Sequence, residues 1–70
     1  MTIHSHTFTS AMLASCSYDD ESKELTVTFS NGKDYVYEDV EAELYRRLVT
    51  AESAGRYFNS IKAHLTVKKS

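Results

Sequence analysis

The sequence predicts a single small α+β domain: a three-stranded antiparallel β-meander with two short C-terminal helices packed on one face. Three observations carry this. Glu24-Leu25-Thr26-Val27-Thr28-Phe29 alternates apolar and polar residues, Asn31-Gly32 follows as a turn, and from Leu44 to Leu65 the apolar spacing becomes helical. Seventy residues leave room for one domain and no more.

The hairpin is the clearest element, and its loop length decides where two tyrosines point. A two-residue Asn31-Gly32 turn would pair Thr28 with Tyr35 and Thr26 with Tyr37, leaving both rings on the polar face. A three-residue Ser30-Asn31-Gly32 loop, with Gly32 left-handed in a bulge, pairs Val27 with Tyr35 and Leu25 with Tyr37. A one-residue slip sends every side chain to the other face. The bulged loop is favoured, because it gathers five large apolar groups on one side of a chain short of core.

Ahead of the hairpin, Met12 to Tyr18 reads as the first strand, and Asp19-Asp20-Glu21-Ser22 as the turn into it. Residues 1–9 are expected to be a loose end, 10–65 the folded domain, and 66–70 a frayed basic tail. One helix is expected from Asp39 or Val40 to about Val49. Its acids Glu41 and Glu43 lie early and Arg46 and Arg47 late, matching the helix dipole. A second begins near Thr50 or Ser53, with Ala54, Phe58, Ile61 and Leu65 as its apolar stripe. Gly55 weakens that pattern unless another backbone must approach it closely.

Net charge is −2, so the chain as a whole carries no nucleic-acid footprint. Its distribution is steep, with −7 over residues 1–43 and +5 over residues 44–70, and an asymmetry of this kind can mark a partner-facing side. The single Cys cannot form an internal disulfide, which fits a reducing, cytoplasmic setting. Leu13-Ala14-Ser15-Cys16 has the look of a lipidation box. No Lys or Arg and no apolar run precede it, so it is rejected, and no stretch is long enough to span a membrane.

Catalysis, metals and cofactors find no support in the pattern. Cys16 sits in an expected strand, where a free Cys is an inert small hydrophobe, and nothing brings His64 to it. His4 and His6 are two ligands where a metal site needs more. What remains are surfaces. Tyr35 and Tyr37 are either core or, if displayed, a stacking platform for bases. Ser53-Ala54-Gly55-Arg56-Tyr57-Phe58-Asn59 either caps and packs a helix, with Asn59 bonded to a neighbouring loop, or holds a phosphate or carboxylate. Arg46, Arg47, Arg56 and Lys62, with Lys68 and Lys69, bind phosphates if the fold brings them together.

Ser10-Ala11-Met12-Leu13, Tyr18-Asp19, Leu25-x-Val27-x-Phe29, Gly32, Tyr35-Val36-Tyr37, Val40, Tyr45, and then Ala51-x-Ser53-x-Gly55-x-Tyr57-Phe58-Asn59 with Ile61 together resemble the KTSC family. The resemblance covers roughly residues 8–67. Glu41 stands where Pro is expected in that family, but both residues suit the first turn of a helix. The resemblance implies a small domain that occurs as a carboxy-terminal appendage of some lysyl-tRNA synthetases and as free-standing bacterial and phage proteins. RNA binding is the usual conjecture for it. The expected function is therefore a non-catalytic module binding RNA through Arg46, Arg47, Arg56, Asn59, Lys62, Tyr35 and Tyr37. The alternative is a protein-interaction module, for instance a phage-encoded factor docking on a host protein, which the acidic half favours.

Overall fold

The computed structural model describes residues 3–69. Five antiparallel strands, β1 (Ile3–Thr7), β2 (Leu13–Asp19), β3 (Glu24–Phe29), β4 (Asp34–Glu38) and β5 (Thr66–Lys69), lie in one sheet in chain order. Between β4 and β5 come helices α1 (Ala42–Thr50) and α2 (Ala54–Ile61) and a 3₁₀ turn, Lys62–His64. The α+β class holds, and three strands become five. Ile3–Thr7 of the expected loose end and Thr66–Lys69 of the expected basic tail are strands; Met1, Thr2 and Ser70 lie outside the described residues.

Both extra strands are edges, which explains why no apolar alternation announces them. Ile3-His4-Ser5-His6-Thr7 is held by backbone pairing in the register Ile3↔Asp19 to Thr7↔Ser15. His4 adds a 3.1 Å contact to Asp20, and the Phe8 N–H donates to the Ala14 carbonyl at 2.9 Å. β5 pairs Tyr37 with Val67 and Glu38 with Thr66, and Lys68 bridges to Glu24 on the outer face of the sheet.

The hairpin has the bulged geometry. Leu25 pairs with Tyr37 and Val27 with Tyr35, the Gly32 N–H donates to the Phe29 carbonyl, and Gly32 has φ 89°. The tyrosines therefore turn toward the helices. That face buries Leu13, Cys16, Tyr18, Leu25, Val27 and Tyr37 against Leu48, Ala54 and Phe58. Phe58 is the centrepiece, edge-on to Phe29 at 5.6 Å and to Tyr37 at 5.5 Å. By the pleat, the opposite face carries the cross-strand row Ser5, Ser17, Thr26 and Val36.

α1 starts later than expected. Asp39 has φ 58°, which no helix accommodates, and Val40 is drawn into the core with its carbonyl accepting a hydrogen bond from the buried Tyr18 hydroxyl. The Val40 N–H donates to the Lys23 carbonyl, so this residue fastens the connection to the sheet rather than opening the helix. Glu41 takes the N-cap position.

Candidate nucleic-acid interface

Three segments meet at one end of the sheet: the Phe8–Met12 loop, the β3–β4 hairpin tip and the first turns of α2. The Ser30 N–H donates to the Met12 carbonyl at 2.9 Å and the Ser30 hydroxyl to the Ala11 carbonyl at 2.8 Å, tying tip to loop. Within the loop, the Ser10 hydroxyl oxygen accepts from the backbone N–H groups of Met12 and Leu13. Gly55 of α2 abuts this loop. A Cβ there would lie 2.9 Å from Ser10 Oγ and 3.3 Å from Met12 Cβ, so the glycine is closely approached, by side chains of the loop rather than by the expected backbone.

Gly55→Ala sets two effects against each other. Helix propensity favours Ala by about 1 kcal/mol. The new methyl must displace Ser10 Oγ, orphaning two part-buried amide donors at about 1–3 kcal/mol each. The clash is expected to win, with a net loss of about 1–5 kcal/mol in urea unfolding. An Ala variant as stable as the parent would show that the loop yields freely.

Met12 separates, and lines, two open depressions. The larger, about 710 Å³, is lined by Arg56, Asn59, Ser53, the acid Glu52 and the Phe8–Met12 loop. The smaller, about 280 Å³, is lined by Phe29, Asn31, Lys33, Tyr35 and Lys62, with no acid lining it among the described residues. Arg56 and Asn59 of α2 and Lys62 at its C-cap recur every three residues, a span of about 9 Å from first to last. Four of the seven residues expected to bind a ligand thus stand along one strip.

The other three do not join it. Arg46 lines a separate depression of about 300 Å³ with His4, Asp20 and Tyr45. Arg47 lines another beside Glu41 and Glu43, and its guanidinium is 2.8 Å from Glu43, one helical turn back. Adjacent helical residues point about 100° apart, so the two arginines serve different surfaces. Tyr37 is 4% exposed and cannot stack on a ligand; burial pushes its phenol pKa up. Lys33 is the addition, a residue whose place beside Lys62 depends on tertiary packing.

Ion pairing sharpens the contrast. Lys23, Arg47 and Lys68 each meet a Glu, whereas Lys33, Arg46, Arg56 and Lys62 have no acidic partner among the described residues. Three of those four free cations are on the strip. Asn59 is exposed and makes no side-chain hydrogen bond among the described residues, contrary to the expected tie to a loop. Ser53 occupies the α2 N-cap position, but its hydroxyl makes no cap bond.

Cys16 is 4% exposed, and desolvation pushes its thiol up to about 11, which keeps it protonated and unreactive at neutral pH. His64 lies on the exposed 3₁₀ turn. No cluster of three or more metal-binding side chains occurs among the described residues, and no helix is long and apolar enough to cross a membrane.

Comparison with known proteins places this arrangement. A KTSC domain protein from Yersinia pestis has the same fold, with a TM-score of 0.88, 24% identity and 99% of each chain covered. An uncharacterized protein of Stutzerimonas stutzeri (strain A1501) is 44% identical over 52 residues, covering 74% of this chain and 73% of that one. A protein from Tsukamurella paurometabola is 35% identical over 52 residues, covering 74% of this chain and 78% of its own. The KTSC domain itself matches residues 9–63, a span that takes in nearly all of the Phe8–Met12 loop, the hairpin, both helices and the cationic strip. With that span matched and 44% identity to a small bacterial relative, the chain belongs to the KTSC domain family.

Proposed function

We propose that this domain is a small non-catalytic module that binds RNA along the strip formed by Arg56, Asn59, Lys62, Lys33 and Tyr35. One observation carries the reading: three cations without acidic partners stand beside a half-buried aromatic ring, while most other basic side chains are neutralised. Unpaired surface cations are the groups that exchange condensed counterions for phosphates. The buried, protonated thiol and the shallow depressions suit contact rather than chemistry. A cytoplasmic setting, suited to a free thiol, belongs to the same proposal.

Salt dependence tests it. With three phosphate contacts, log K for a labelled RNA should fall with log[salt] at a slope of about −2 to −3. Replacing Lys33, Arg56 and Lys62 together by Gln should flatten that slope and weaken binding more than tenfold at low salt, as roughly three contacts are lost. The melting curve should stay close to the parent's, because all three are exposed. No binding at low salt, or an unaltered slope in the triple variant, would exclude this surface.

A protein partner is the second reading. Ile3 and Val67, 53% and 51% exposed, sit on the two open edge strands, where an added strand could pair.

A further inference from the structure

We infer that the strip takes an unpaired strand, seating one base in the depression beside Tyr35; this rests on the nucleic-acid reading above and names the form of its ligand. The two depressions differ in chemistry. The one around Arg56 and Asn59 offers polar and cationic groups with a single acid, Glu52, fit for sugar and for a phosphate held by Arg56. The one around Tyr35 sets an apolar wall of Met12, Phe29 and Tyr35 against the ammonium groups of Lys33 and Lys62. A duplex keeps its bases stacked and presents phosphates and 2′-hydroxyls, so it would leave that apolar wall facing water. A single strand brings a flat apolar base and its phosphate together, matching wall and cations at once.

Tyr35 is built for the part. Its ring is braced edge-on by Phe29 at 5.3 Å and by Tyr37 at 6.5 Å, and what remains uncovered lines the depression. The bracing fixes the ring before any ligand arrives, so little side-chain entropy is lost on stacking. Its hydroxyl bonds to no protein group among the described residues, leaving a donor and acceptor for a base edge. At about 280 Å³ the depression falls just below the ~300–1,000 Å³ range of ligand pockets, a size for one base rather than a stack.

The test titrates the full chain with a short unstructured oligoribonucleotide, and with the same strand annealed to its complement, at low salt. The single strand is expected to bind at least tenfold more tightly. Tyr35→Leu should weaken it roughly five- to a hundredfold, the range of a lost base–aromatic stack, and leave duplex affinity unchanged. Tyr35→Phe keeps the ring and should lose only a few-fold. Equal affinity for both forms in the unaltered chain overturns the single-strand inference while sparing the nucleic-acid reading, and it does so even if Tyr35→Leu fails to fold. A folded Tyr35→Leu that binds the single strand as the parent does also overturns it. Absence of binding to either form overturns both.

Discussion

Phe58→Ala is expected to lower the thermal midpoint by at least about 12 °C and to leave much of the protein unfolded at 37 °C. Phe58 is fully buried and is the large apolar group that α2 drives onto the sheet. Truncating a buried Phe costs about 3–5 kcal/mol, the lost transfer free energy plus the cavity left behind. Its edge contacts to Phe29 and Tyr37 add about 0.5–1.5 kcal/mol per pair. A chain of this length has roughly 4–11 kcal/mol of total stability, so one ring accounts for a large share. Each kcal/mol shifts the midpoint of such a small domain by about 4–8 °C. Arg56→Gln, at an exposed position of the same helix, should move it by less than about 4 °C. A similarly small shift for Phe58→Ala would mean that the sheet and α1 hold together without α2.

Stability is also expected to collapse at alkaline pH. Burial pushes Cys16 from its ordinary 9.0 up to about 11. Burial likewise raises the phenols of Tyr18, Tyr37 and Tyr45, with Glu41 and neighbouring aspartates adding to the effect at Tyr18. All four groups are neutral in the folded protein and ionise more easily once unfolded. Their contribution is thus intact below their unfolded values and lost as pH rises through the folded ones. For Cys16 the window is about 9 to 11, and at 1.36 kcal/mol per unit the loss is about 2–3 kcal/mol. Melting by circular dichroism should show a flat midpoint from pH 7 to 8.5 and a steep fall above pH 9. Cys16→Ala removes the thiol alone, so its curve should fall less steeply between pH 9 and 11. Parallel curves for the two proteins would show that general charge repulsion, not the thiol, drives alkaline unfolding.

How far the fold could be read from residues varied with how local each interaction is. The hairpin was legible because Asn31-Gly32 and the two alternating runs lie within fourteen residues, 24–37, and only one register buries the rings of Tyr35 and Tyr37. β1 and β5 were not, because edge strands such as Ile3-His4-Ser5-His6-Thr7 are recruited by the backbone of their neighbours and need no apolar period. The α1 start was missed through the left-handed Asp39, a conformation chosen by the burial of Val40 rather than by any helix signal. For the candidate site, the three-residue spacing of Arg56, Asn59 and Lys62 was visible in the chain. The separation of Arg46 and Arg47 from them depends on how α1 docks, and the arrival of Lys33 depends on how the hairpin tip meets α2.

Strand direction alternates across the sheet, which fixes where the two ends of the chain emerge. Ile3 lies on the β1 margin at the opposite end of that strand from the Phe8–Met12 loop, one strand-length of about 13 Å away. Lys69 lies on the opposite margin, about 19 Å across, at the same end of the sheet as the hairpin tip. An affinity handle or fluorescent label attached ahead of Ile3 is therefore carried clear of Arg56, Lys62 and Tyr35. The same addition behind Lys69 hangs beside the hairpin and would compete with whatever settles there.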